Sequence, residues 1–514
     1  MLKGQKRIGA TLVLIIVILS YTFAPPVRGQ QQTPEPLSGL DQYIEKAMQE
    51  WGVPGLSVAI VKDDRVVYAK GYGTRETGKN LPVNEETLFG IGSVTKSFTA
   101  AAIGMLADSG QLKLDDPLTK SLPGLQLYDP QLTRDTTLRD ILSHRSGLPR
   151  ANLGLMNRFR PEETLKRLRY LKPASALRSQ FHYQNQMYVV AGEVIRAVSG
   201  QSWEQFVKDR IFSPLNMKMS STSVTALKKQ ENVARPHARL KGVVRAVPFR
   251  NMDNTGPAGA INSSAREMAE WLRFQLSAGA ATTPGGKQLL KAATLREMQS
   301  PQTIIPLSPA SEKLYGSTHF LSYGLGWFLR DYSGRKVLEH GGNVDGMTAQ
   351  VGMMPEEKLG VVILANMDST GLPVALMYRI FDAYTRGAAA RDWSEEFLKL
   401  SRAGEQQMEA QRKQLEAKRA TNTQPALALE KYAGVYQHDL YGEARITKEN
   451  DKLSLSFGPG VEGGLEHWET NAFRITWSDP MFPDMILTFE LAEGGLEVDR
   501  MRLGQVGEWK RTRQ

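Results

Sequence analysis

The sequence predicts a mixed α+β fold, a sheet flanked by helices and joined to a helical region, followed by a small all-β unit. Three observations predict it. β-like runs stand at both ends of the first part of the chain with helical segments between them, so strands distant in sequence must meet in one sheet. A charged, Gln-rich stretch then interrupts the apolar pattern. Beyond Pro425, short alternating runs broken by Gly-Pro, Gly-Gly and Asp-Pro turns read as strands of a sheet closed toward a barrel.

Composition narrows the chemistry before any motif is read. With 514 residues, 41% hydrophobic and 23% charged, the chain is globular and long enough for more than one domain. Zero cysteines exclude a disulfide framework, thiolate zinc sites, iron–sulfur clusters, a cysteine nucleophile and a lipidated N-terminal cysteine. The net charge of +10 falls to +6 once Lys3, Lys6, Arg7 and Arg28 are set aside. The remaining basic residues are scattered, without the aromatic interleaving of a nucleic-acid groove, so no nucleic-acid partner is expected. No His-Glu-x-x-His, calcium loop or phosphate-binding Gly-Lys motif occurs, so no metal or other cofactor is expected. The absence of a Gly-x-Ser-x-Gly elbow argues against an α/β-hydrolase site.

In chain order, residues 1–29 combine a basic start, an apolar run from Ile8 to Phe23 and a Val-Arg-Gly ending, the pattern of a secretory signal cleaved before Gln30. Left uncleaved, the same run is an N-terminal membrane anchor; either way the bulk of the chain is exported, to a periplasm or the exterior. Leu40, Tyr43, Ile44, Ala47, Met48 and Trp51 repeat at helical spacing. Gly55–Lys62 and Arg65–Gly73 are β-like runs around Asp63-Asp64, a hairpin signal. A glycine-rich turn, Phe89-Gly90-Ile91-Gly92-Ser93, then opens a helix over 94–109. Helices are expected over 137–143, 161–170, 187–199, 203–211 and 265–278, and strands over 325–329, 336–339, 348–353 and 359–365. This unit runs from 37 to 390. A charged helix or linker follows over 391–424, and the all-β unit over 425–514 has strands at 444–447, 452–457, 472–477, 485–491 and 496–503.

Ser93-Val94-Thr95-Lys96 lies where the glycine-rich turn meets its helix, and a spacing of three puts both side chains on one face. A serine hydroxyl needs an adjacent base, and a lysine serves if burial and nearby positive charge keep its amine neutral. The helix N-terminus adds backbone N–H groups for a developing oxyanion. In isolation the tetrapeptide is better explained as an N-cap and a surface lysine. Two further stretches accompany it: Phe181-His182-Tyr183-Gln184-Asn185 before an apolar helix, and Leu338-Glu339-His340-Gly341-Gly342-Asn343, which ends one β run and leads into another.

Together the three resemble the serine β-lactamase and penicillin-binding protein superfamily. Leu142-Ser143-His144-Arg145-Ser146-Gly147-Leu148-Pro149, Pro214-Leu215-Asn216-Met217, Pro257-Ala258-Gly259-Ala260-Ile261 and Tyr323-Gly324-Leu325-Gly326-Trp327 make the class C β-lactamase-related branch of esterases, D-amino-acid peptidases and DD-peptidases the closer likeness, over about 40–384. The resemblance implies an antiparallel sheet flanked by helices plus a helical subdomain. It implies Ser93 as acylated nucleophile, Lys96 or Tyr183 as its base, Asn185 as a brace for Lys96, and His340 in the place of the third motif's lysine or histidine. The backbone N–H groups of Ser93 and Asn343 would form the oxyanion hole, with Gly341 and Gly342 beside the substrate. Gly341 stands where the family generally has a hydroxyl residue, which removes one hydrogen bond to a substrate carboxylate. His144 and His182 are read as structural. The tail resembles the lipocalin-like β domain of some of these hydrolases through Tyr432-Ala433-Gly434-Val435-Tyr436 and His467-Trp468, a domain that caps the site, mediates homo-oligomers or merely adds stability. The expected activity is hydrolysis of an ester, an amide or a D-amino-acid-containing peptide through an acyl-enzyme on Ser93. Its alternatives are a true β-lactamase, or a weakly catalytic protein that binds cell-wall peptides or a protein partner.

Overall fold

The computed structural model describes residues 35–512, apart from 152, 157, 278, 280–285, 388–390, 418 and 420–422. The secretory-signal reading of residues 1–29 lies outside the described residues. The first unit is built on eight antiparallel strands: β1 (Gly55–Lys62), β2 (Arg65–Gly73), β3 (Thr303–Ile305), β4 (Leu321–Tyr323), β5 (Phe328–Tyr332), β6 (Arg335–Val344), β7 (Met347–Met354) and β8 (Leu359–Ala365). Their spatial order is β2-β1-β8-β7-β6-β5-β4-β3, so the N-terminal hairpin pairs with the last strand in sequence. The hairpin turn has φ 50° at Asp63 and 61° at Asp64, the paired left-handed geometry that suits the twist of the two strands.

Burial on both faces explains the continuous apolar runs. In β1, Leu56, Val58 and Ile60 face one core and Ala59 and Val61 the other. The period of two thus divides one strand between two layers. On the first face lie the helices α1 (Leu40–Trp51), α5 (Leu372–Thr385) and the start of α6 (Trp393–Ala417), through Ile44, Trp51, Tyr378 and Trp393. On the second lie α2 (Thr95–Asp108) and α4 (Ala265–Leu276), through Phe98 and Trp271, whose rings stack at 3.8 Å. α2 is buried from Thr95 to Leu106 and packs against α3 (Asn185–Ser199) in the helical region.

Several expected elements shift. The run at 325–329 is a turn up to Trp327, because Gly326 (φ 79°) brings this loop against the first turn of α2: a Cβ there would stand 2.9 Å from the Lys96 carbonyl oxygen. β6 continues through His340-Gly341-Gly342-Asn343 instead of ending at Glu339; two glycines read as a break. The stretch at 391–424 contains a helix of 25 residues whose first turn belongs to the core, since Trp393 is fully buried and its Nε1 donates to Asp382 at 2.8 Å.

The tail is a closed antiparallel barrel of β9 (Gly434–His438), β10 (Gly442–Glu449), β11 (Lys452–Ser456), β12 (Glu462–Glu469), β13 (Ala472–Trp477), β14 (Met485–Leu491), β15 (Val498–Leu503) and β16 (Gly507–Arg511), sealed by β9 against β16. Side chains such as Tyr436, Phe473, Phe489, Met501 and Trp509 are buried in its core. Among the described residues, arginines at two places on the first unit hydrogen-bond to the barrel. Arg167 Nη1 donates to the Asp439 carbonyl at 2.7 Å, and Arg158 reaches the Tyr441 and Glu443 carbonyls. Arg250 donates from Nε to Asp345 and from Nη2 to Asp479 of the barrel, both at 2.7 Å.

Candidate active site

Ser93 sits in a single 3-10 turn, Gly92–Val94, that runs into α2, and this places its side chain at the mouth of a buried helix. Three residues on, Lys96 is fully buried and its Nζ lies 3.0 Å from Ser93 Oγ and 2.8 Å from the Ala258 carbonyl. That carbonyl is held against α2 because Thr99 Oγ1 donates to Pro257 O at 2.7 Å and the Ile261 N–H donates to Thr95 Oγ1 at 3.2 Å. Burial, reinforced by the Arg150 guanidinium, holds the Lys96 ammonium well below the usual lysine range. A neutral amine within hydrogen-bond distance of a serine hydroxyl can accept its proton.

Tyr183 lies on the other side of the amine, with Lys96 Nζ 4.8 Å from its ring centroid. Burial raises its phenol well above the ordinary value, and the interaction with Ser93 and the Arg150 charge pull only weakly the other way. Burial thus disfavours the phenolate form of Tyr183. Arg150 itself is exposed, 5.9 Å from the Tyr183 ring, with no ion-pair partner among the described residues. The sequence reading passed over it, although a cation two residues beyond Leu148 in a motif segment was the signal available.

His340 is buried in β6. Its Nδ1 is 2.7 Å from the Gly341 carbonyl and so carries the hydrogen, which leaves Nε2 to accept from Tyr323 Oη at 3.0 Å. Burial first and Lys96 second hold its pKa to about 3, so the ring is neutral. Gly341 is exposed, whereas Gly342 is buried where β6 crosses the Ser93 turn. A Cβ on Gly342 would fall 1.9 Å from the Ile91 carbonyl and 3.1 Å from the Ser93 nitrogen; one on Gly92, where φ is 51°, would fall 2.6 Å from the Asn343 nitrogen. Only glycine at both positions lets the two backbones approach this closely. The Asn343 side chain points away, to Ser369 and Thr348. Asn185 is the buried first residue of α3, and the hydrogen bonds of the Lys96 amine run to Ser93 and Ala258. Among the described residues no cluster of His, Asp and Glu could hold a metal ion, and no helix is long and apolar enough to cross a membrane.

Comparison with known proteins agrees with this geometry. The Beta-lactamase family model matches residues 40–384, and a domain of unknown function, DUF3471, matches 418–508. The Unguisins hydrolase ungD of Aspergillus violaceofuscus is 29% identical over 80% of this chain and 76% of its own. Protein flp of Staphylococcus aureus strain MW2 is 26% identical over 65% of this chain and 64% of its own. Among solved structures, the octameric penicillin-binding protein homologue from Pyrococcus abyssi superposes with a TM-score of 0.62 at 25% identity, covering 92% of this chain and all of that one.

Proposed function

We propose, from the premise that the chain belongs to the Beta-lactamase family of serine hydrolases, that it cleaves a carboxylic ester, an amide or a D-amino-acid-containing peptide through an acyl-enzyme on Ser93. The observation that carries this reading is the buried Lys96 amine 3.0 Å from Ser93 Oγ. Lys96 takes the hydroxyl proton as Oγ bonds to the substrate carbonyl carbon. The carbonyl oxygen, now an anion, is held by the Ser93 and Asn343 backbone N–H groups, a pairing supported by the glycine-only approach of the two segments. The Tyr183 hydroxyl passes a proton to the departing alcohol or amine and regains one from Lys96. Water then attacks the ester, with the same groups returning the proton to Ser93.

The chain is read as exported on the strength of residues 1–29. A homo-oligomer is part of the reading, supported by the octameric state of the Pyrococcus abyssi homologue. The test is intact mass after exposure to a fluorophosphonate and, separately, to a penicillin. A single adduct on the wild type and none on a folded Ser93→Ala variant is expected. An adduct that survives the substitution would refute the nucleophile assignment.

A further inference from the structure

The loop that carries Tyr183 hangs from one short segment. Ser143–Leu148 follows a helical turn, Leu138–Leu142, and Asp140 at its base accepts from Arg145 Nε at 2.7 Å and from Arg178 Nη2 at 2.8 Å. The two chains are then zipped together by backbone bonds: Ala174 N–H to Gly147 O at 2.9 Å, Arg178 N–H to Arg145 O at 2.7 Å, and His182 N–H to His144 O at 2.8 Å. The last tie is made by a side chain. The Gln184 N–H donates to His144 Nδ1 at 3.1 Å, so His144 grips the residues on both sides of Tyr183, one with its carbonyl and one with its ring.

The imidazole is fully buried, 4.3 Å from the Tyr183 ring centroid and 4.8 Å from that of Tyr323, the partner of His340. Its Nε2 is buried with no hydrogen-bond partner among the described residues, and its backbone adopts φ 58°, a left-handed conformation unusual for a residue with a Cβ. An acceptor at Nδ1 puts the ring hydrogen on Nε2, and burial beside Lys96 and His340 keeps the ring uncharged. A histidine held in an uncommon backbone conformation with one nitrogen unsatisfied is a poor choice for stability alone. What it does supply is a buried acceptor at the Gln184 N–H and a ring packed at a 38° tilt against Tyr183. Gln184 in turn caps α3, its side chain accepting from the Gln186 N–H at 3.1 Å, so the Tyr183 backbone is fixed between His144 and a helix start.

We infer that His144 is a positioning residue for the hydrolysis, holding the Tyr183 hydroxyl at the Ser93–Lys96 pair through the Gln184 N–H bond to its Nδ1. This inference rests on the catalytic reading given above. Three variants test it: His144→Phe and His144→Leu keep bulk but remove the acceptor, while His144→Asn keeps a side-chain acceptor and tolerates the left-handed backbone. Each is assayed for thermal midpoint, for kcat and KM on an unactivated alkyl ester, and for fluorophosphonate labelling rate. In whichever acceptor-less variant folds, kcat on the alkyl ester is expected to fall by about 10²-fold, the scale of a ~1 Å misplacement of a catalytic group, with KM unchanged, while labelling, whose fluoride departs without a proton, stays near the wild-type rate. His144→Asn is expected to recover most of the loss in kcat. Wild-type kcat in a folded acceptor-less variant, or a loss in His144→Asn equal to that in His144→Phe, would overturn the inference. Failure of the wild type itself to label would instead overturn the Ser93 reading, so the two failures are separable.

Discussion

Lys96 is a residue whose chemistry depends on being uncomfortable. Its amine is taken wholly out of water and given two neutral partners, the Ser93 hydroxyl and the Ala258 carbonyl, with no carboxylate partner among the described residues. Desolvation of the charged form is the first cause of its lowered pKa and the Arg150 charge the second. A base must be deprotonated to work, so the rate rises with pH through the Lys96 ionisation and the acid limb of the pH–rate profile reports it. Removing a neighbouring cation favours the protonated form. Arg150→Met is therefore expected to move that limb to higher pH, measured as kcat/KM on a neutral ester, where binding of the substrate does not itself need the arginine. A limb that stays in place would assign the proton acceptance to another group. Tyr183, pushed the other way by burial, cannot account for a limb at neutral pH.

At the level of elements, the glycines of β6 divide two tasks. Gly342 is there for the backbone crossing at Ile91, and Gly341 for openness, since its missing Cβ would meet only Gln350 Oε1 at 3.1 Å and the Ala349 carbonyl at 3.9 Å. A serine side chain therefore fits at 341 with a small movement of Gln350. Its hydroxyl would offer a carboxylate one charge-assisted hydrogen bond, worth ~1.5–3 kcal/mol. Gly341→Ser is thus expected to raise the ratio of penicillin acylation to neutral-ester hydrolysis by about tenfold or more, read as second-order rate constants on the same preparation. An unchanged ratio would mean that substrate carboxylates do not reach this strand. The same pair shows where sequence reading succeeds and fails. The Asp63-Asp64 turn and its strands were legible because apolar runs and turn chemistry agree locally. The continuation of β6 past Glu339 was not, because the reason for Gly342 is the turn at Ile91, far away in sequence. β12 was missed on the same ground, its Gly463-Gly464 sitting inside a strand, and β16 follows a turn too short in apolar signal. Ser93, Lys96 and Tyr183 were found by motif and are brought together in space. The segment around Ala258 was legible only as part of the family likeness; that its carbonyl holds Lys96 was not, since a backbone carbonyl leaves no mark on its residue type.

Across the whole molecule, the barrel is anchored to both the helical region and the β6–β7 turn. Phe159 lies between Arg158 and Arg167, 4.6 and 4.3 Å from their guanidinium carbons, beside the barrel's Gly442. Arg250 bridges Asp345, two residues past the proposed oxyanion donor Asn343, to Asp479 of the barrel. Asp479→Asn keeps the Arg250–Asp345 pair and weakens the link to the barrel from an ion pair to at most a neutral-acceptor hydrogen bond. A loss of about 1 kcal/mol is expected, with faster amide exchange in 478–484 and little change in β1 or β8. Unchanged exchange there would show that the barrel is held by its other contacts, those of Arg158, Arg167 and Arg419 among them. The placement of β1 between β2 and β8 has a different consequence, in time. Leu56 pairs with Ala365, so during synthesis the first hairpin is made long before the strand that covers its open edge. Until then the backbone of a Val-rich strand is unsatisfied on one side, the condition under which chains join edge to edge with their neighbours. Closure of the sheet is thus a late event in assembly, and the hairpin must be kept apart from other copies until β8 arrives.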